Sequence, residues 1–272
     1  MTDPDFYRRQ SESTDPGEYL AFYRDLPSSP EAILRHLSDI LLSSFPLEGM
    51  TESQKRDIEV ERTRDILKAL HERGNPFTSK GPRETRFVGL CYHWSLLAAS
   101  VLRSRGFACR LRCGFAPYLK GGEKGIDHTA IELWEPDAGR WRLMDPELVA
   151  VEPQASTRIL GIDEPLDPLN VSPQQFHLAA RAWMNYRCKR VPDGFYGLYA
   201  DEPSYGFVRT SLIRDWLNIL ARERNVSYGP PLKGLDPTQE RAYLDEIASL
   251  MLDPAKNRPT LEALSRDIDL ES

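Results

Sequence analysis

Three residues whose side chains could together open an acyl bond follow one another along the chain: Cys91, His128 and Asp145. A thiolate is a nucleophile and an imidazole can remove and return a proton. A carboxylate can hold that imidazole in one tautomer and stabilise its charged form. Cys91 taken alone would be a small buried hydrophobe, since free cysteine packs that way. With His128 and Asp145 on what read as successive strands, a nucleophile becomes the better reading.

The stretch RFVGLCYHWSLLAASVLRSRGFACRLRCGF, residues 86–115, sets the frame of the nucleophile. Trp94, Leu97, Ala98, Val101 and Leu102 recur at helical spacing, so a helix begins near Cys91, with that residue on the inward face, and ends at Gly106. The positive end of the helix dipole favours a thiolate there, and the Cys91 backbone N–H is placed to face an oxyanion. Beyond Gly106, Phe107, Cys109, Leu111, Cys113 and Phe115 alternate with Ala108, Arg110, Arg112 and Gly114. That is the period of a half-buried strand, with Arg110 and Arg112 on its solvated side. After the turn GGEKG, HTAIELW makes a second strand opened by His128, and RWRLMDP a third that ends at Asp145. Short strands joined by turns predict an antiparallel sheet beneath the Cys91 helix, an α+β fold.

Four neighbours are candidates for substrate contacts. His93 is two residues from Cys91 and so points away from it on a helix, as a substrate-binding or supporting group. Glu132 shares a strand face with His128 and could order a substrate amine. Trp134 and Trp141 lie near the same strands and offer an aromatic surface. A zinc site from Cys91, His93, Cys109 and Cys113 fails on distance, because Cys109 and Cys113 stand about 13 Å apart at ~3.3 Å per residue. GGEKG lacks the setting of a phosphate loop. No metal and no cofactor are expected.

On either side of this core the pattern is helical. Ser29, Pro30 and Glu31 start one helix that stops near Pro46, and Thr51 with Gln54 opens a second that runs through Ile58, Ile66 and Leu70 to Gly74. After residue 150, helices start at Ser172, near Phe207 and at Asp236, with Trp183, Trp216 and Ile247 on their inner faces. Residues 1–27, polar and carrying three prolines, are expected to form a poorly ordered arm that settles only where Tyr19, Phe22 and Tyr23 can bury. Residues 28–272 then read as a single domain with a helical part over 28–84, a core over 85–150 and a helical extension over 151–272.

At 272 residues the chain can bury a sizeable core without crosslinks. Four cysteines, and a start with neither a basic segment nor an apolar one, fit a cytoplasmic protein. The net charge of −6 makes nucleic acid a poor partner, and no apolar run suits a membrane.

The stretches GLCYHWSLLAASVLRSRGFACRLRCGF, DHTAIELW and RWRLMDPEL resemble the transglutaminase-like superfamily over about a quarter of the chain. That resemblance implies a papain-like core in which the nucleophile helix packs on an antiparallel sheet. In it Cys91 is the nucleophile, His128 the base and Asp145 its orienting acid. RAWMNYRCKRVPDGFYG and SLIRDWLNIL are similar to the helical C-terminal extension of a bacterial subgroup with no established substrate. The chain departs from that subgroup at Tyr92 and His93, where an Arg and an acidic or amide residue would stand. The resemblance implies an enzyme that works on a peptide or small-molecule amide or related acyl group through a Cys thioester. Water or an amine would be the acceptor. The alternative is a non-catalytic module that binds a peptide or ligand on the same fold.

Overall fold

The computed structural model describes residues 3–44, 49–120, 123–149, 166–198, 203–225, 232 and 234–267. In chain order the main elements are α1 (Asp3–Phe6), α2 (Pro30–Ile40), β1 (Leu41–Ser43), α3 (Thr63–Glu72), β2 (Phe87–Gly89), α4 (Cys91–Ser104), β3 (Cys109–Ala116), β4 (Gly125–Glu135) and β5 (Arg140–Met144). They continue with α5 (Pro146–Val149), β6 (His177–Leu178), α6 (Ala179–Arg187), β7 (Tyr196–Gly197), α7 (Ser204–Ile219), α8 (Pro237–Leu250) and α9 (Pro254–Leu264). Helix and sheet are mixed, an α+β composition. The chain divides into two compact units where the sequence reads as one domain. One comprises Met1–Leu111, Ala130–Ser156 and Asp167–Val171, the other Arg112–Thr129, Thr157–Leu166 and Ser172–Ser272. The divisions at Leu111 and Thr129 fall inside β3 and β4, so no linker composition marks them.

In the first unit, Trp94, Leu97, Ala98, Val101 and Leu102 of α4 join Leu37 of α2, Ile66 and Leu70 of α3, and Ile131 and Met144 of the sheet in one core. The stripe understates the enclosure of α4, because every residue from Tyr92 to Arg103 is buried, Ser95 and Ser100 included. Ser29 caps α2 through its Oγ, accepting from the Ala32 N–H, with Pro30 at the first helical position as expected. Gly106 closes α4 in the left-handed region at φ +84°, and the Phe107 N–H returns to the Leu102 carbonyl. β4 and β5 pair antiparallel from Ile131↔Met144 to Glu135↔Arg140, as short strands joined by a turn predict. A second, two-stranded sheet pairs β1 and β2 in parallel.

Three readings in this unit are corrected. The N-terminal arm packs where Tyr23 buries, as expected, but also well before it: Tyr7 and Thr14 are buried, the Cys109 N–H donates to the Tyr7 carbonyl, and Arg103 donates to the Thr14 hydroxyl. Those partners are distant in sequence, so local composition could not show them. The helix opened by Thr51 and Gln54 has its capping bonds, yet only a 3-10 turn, Gln54–Glu59, follows, and α3 starts anew at Thr63. Buried Asp57, inside that turn, accepts from the Val88 N–H and from Arg73. The helix expected to run on to a stop near Pro46 ends at Ile40, because Leu41–Ser43 extend to pair in parallel with Phe87–Gly89; Pro46 itself lies outside the described residues.

In the second unit, Trp183 of α6, Leu212, Ile213 and Trp216 of α7, and Leu244 and Ile247 of α8 pack with Phe115 of β3. The Asp236–Gln239 capping box starts α8 as read. Ser172 and Gln175 form a turn, and the helix expected there begins only at Ala179. The reason is that His177 and Leu178 extend to pair antiparallel with Phe115 and Gly114 of β3. β7 pairs in parallel with the start of β4.

β3 is not half-buried, as its alternation suggests, but buried along its whole length. In the first unit Arg110 donates from Nε to Glu132 at 2.7 Å, with its guanidinium 4.1 Å from the centre of a Trp141 ring and 5.2 Å from that of Tyr7. In the second, Arg112 grips the fully buried Asp215 with two bonds of 2.9 and 2.8 Å, and the Cys113 N–H donates to the same carboxylate at 2.8 Å. The expected solvated face is therefore a pair of enclosed ion pairs, each matched by bidentate or aromatic contact.

Candidate functional site

Cys91 is the first residue of α4 and is partly exposed. It owes that place to Leu90, whose extended backbone forms the N-cap and whose side chain carries no acceptor. Among the described residues, Cys91 makes no hydrogen bond outside its own helix, so its backbone N–H has no protein partner there. The other thiols differ from it. Cys109 and Cys113 are enclosed, and Cys188 is exposed. Burial, offset only in part by Arg214, pushes the Cys113 thiol up to about 11.

Asp145 lies in the same unit as Cys91. It is fully buried at the end of β5, just past the Met144↔Ile131 pair. Its backbone N–H donates to the Pro168 carbonyl at 2.8 Å, and its Oδ1 accepts from the Leu148 N–H at 3.1 Å. It thus caps α5, and α5 packs on α4. The Asp145–Pro146 pair is a helix start of the same kind as Ser29–Pro30, a signal present in the sequence but read there only as a strand end.

His128 belongs to the second unit, on the part of β4 that precedes Ala130. It is 4% exposed, and the rings of Tyr118 and Phe176 meet it edge-on with centroids at 6.5 and 6.3 Å. Nearby in the same unit, Arg214 donates to Asp127 at 3.0 Å and to the Thr129 hydroxyl at 3.3 Å, fixing the residues on either side of His128.

Three of the four substrate-contact candidates, His93, Glu132 and Trp141, hold other groups of the protein. His93 is fully buried, accepts the Leu90 N–H at Nδ1 (3.0 Å) and meets the Val60 carbonyl at Nε2 (2.8 Å). Because a backbone N–H can only donate, Nδ1 is unprotonated and Nε2 carries the hydrogen given to Val60. Burial lowers this imidazole to about 4, so it is neutral near pH 7. Glu132 and Trp141 hold Arg110. Trp134 faces Trp141 across the sheet at 5.4 Å and lines a shallow groove of ≈ 470 Å³ with Arg105, Phe107 and Pro136. Among the described residues, no helix is long and apolar enough to cross a membrane. No protein-family model and no curated protein matches this chain.

Proposed function

We propose that the chain is a transglutaminase-like cysteine enzyme that opens an amide or related acyl bond through a thioester on Cys91. The observation that carries the reading is Cys91 itself. It is a partly exposed thiol at the first position of a 14-residue helix, and its own backbone N–H has no partner among the described residues. Ordinary structural cysteines are enclosed, as Cys109 and Cys113 are.

In the proposed reaction His128 takes the proton of the Cys91 thiol as sulfur attacks the acyl carbon. The carbonyl oxygen becomes an oxyanion that the Cys91 N–H can meet. The C–N bond then breaks, His128 gives its proton to the departing amine, and the acyl group remains on sulfur. Water or a second amine attacks the thioester, His128 removes the proton of that acceptor and returns it to sulfur, and the product leaves. Asp145 holds the imidazole tautomer. The order Cys91, His128, Asp145 and the resemblance of the surrounding segments support these roles. The substrate class is a peptide or small-molecule amide, and the reaction needs no cofactor.

The test combines reactivity with products. Iodoacetamide should modify Cys91 faster than the exposed Cys188 in native protein. A panel of amide donors, with and without added amines, should give turnover that Cys91→Ala abolishes. Equal labelling of the two thiols together with turnover indifferent to Cys91→Ala would favour the binding-module reading.

A further inference from the structure

Segment 54–61 braces the chain on both sides of Cys91. Gln54 Nε2 donates to the Arg86 carbonyl at 3.0 Å, and the Val88 N–H donates to Asp57 at 2.8 Å. Past the cysteine, the Tyr92 hydroxyl donates to the Glu61 carbonyl at 2.9 Å, and His93 Nε2 donates to the Val60 carbonyl at 2.8 Å. The same His93 ring turns back across the helix start and accepts the Leu90 N–H at Nδ1.

The sequence choice at this start is unusual. Ser, Thr, Asp or Asn at the N-cap would accept first-turn N–H groups and stabilise the helix. Leu90 cannot. The third helical residue supplies half of a capping box instead, but it uses an imidazole in place of the usual Glu or Gln, and satisfies only the N–H that precedes Cys91. Room for that ring depends on Gly89, since a Cβ there would lie 2.9 Å from the Cβ of His93.

We infer that His93 is the positioning residue of the Cys91 thiol: by holding the Leu90 N–H and the Val60 carbonyl together, it fixes the turn that carries Cys91, whose N–H has no partner among the described residues. This rests on the thioester reading for its purpose, because an open N–H beside a nucleophile serves a developing oxyanion. A helix braced in this way keeps that donor in place before any acyl group arrives.

The experiment uses the whole chain and needs no substrate. Amide hydrogen exchange of the wild type should show Leu90 protected and Cys91 exchanging at least about tenfold faster, the contrast expected between a bonded and an open amide. His93→Phe keeps the ring and removes the acceptor. It should expose Leu90 to exchange by about fivefold to tenfold, the size of a lost cap, and displace the pH profile of iodoacetamide alkylation at Cys91. His93→Gln, which can accept and donate at once, should restore both readouts. Wild-type Leu90 exchanging as fast as Cys91 overturns the inference even if His93→Phe does not fold. So does a folded His93→Phe with unchanged Leu90 protection and an unchanged profile. Should exchange and alkylation respond as described while no acyl group is ever captured on Cys91, the thioester reading falls and the positioning assignment stands.

Discussion

Acid should loosen this protein through His93 by an amount that follows from its burial. The ring has no exposed surface and lies against Phe87 and Tyr92, with both nitrogens engaged by Leu90 and Val60. Removal from water lowers it from 6.5 to about 4. Above pH 6.5 the imidazole is neutral in the folded and the unfolded chain, so its contribution is complete. Below that, the unfolded chain takes up a proton that the folded one refuses, and stability falls until the pH reaches about 4. Between pH 7 and pH 5 the loss is about 2 kcal/mol, at about 1.4 kcal/mol for each pH unit inside the window. His93→Gln does not titrate there. Urea unfolding of wild type and His93→Gln at pH 7 and pH 5 isolates this share, because carboxylates and His177 titrate alike in both proteins. If the loss in the wild type exceeds the loss in His93→Gln by no more than about 0.5 kcal/mol, the enclosure of this ring and its neutral form are refuted.

Asp215→Ala should be severe. It leaves the Arg112 guanidinium enclosed without its carboxylate and strips the acceptor from the Cys113 N–H, at a cost of about 3–5 kcal/mol. Replacing the pair together, Arg112→Met with Asp215→Leu, should recover most of that loss in urea unfolding, and a double substitution as weak as the single one would speak against the ion pair as drawn. Cysteine accessibility gives a second check. At pH 8 native protein should be alkylated at Cys91 and Cys188 only, and at all four cysteines in urea, since burial pushes Cys113 up to about 11 and Cys109 is enclosed. Native labelling of Cys113 at a rate near that of Cys188 would mean that β3 is open.

Local chemistry made part of this structure legible. The Ser29–Pro30 and Asp236–Pro237 starts, the stripe of α4, its Gly106 stop and the alternation of β5 are short-range signals, and the corresponding elements stand where those signals put them; β4 starts earlier than expected, at Gly125 and not at His128, because Gly125 and Ile126 pair with β7. Partners far along the chain lay outside the reach of such signals. Strand parity put Arg110 and Arg112 on one face but could not show that Glu132 and Asp215 enclose them, the latter 103 residues away. The N-terminal arm reads as polar and loose because the groups that hold it, the Ser100 hydroxyl and Arg103 guanidinium of α4 and the Cys109 N–H of β3, lie far along the chain. Helix geometry pointed His93 away from Cys91, and it is there that the ring finds Val60 and Leu90. Asp145 stands out in the sequence as an acid at a strand end, and Pro146 directly after it marks the helix start that it caps.

The measurement closest to the central claim is capture of the acyl group. Native protein mixed with an activated acyl ester and quenched in acid should gain the mass of one acyl group, located on Cys91 by peptide mass spectrometry and released by hydroxylamine as a thioester is. Cys91→Ala should gain none, and His128→Ala should gain it at least about a hundredfold more slowly, the usual scale of a lost general base. Acylation that spares Cys91, or that proceeds at Cys91 no faster than at Cys188 and is indifferent to His128→Ala, would contradict the account.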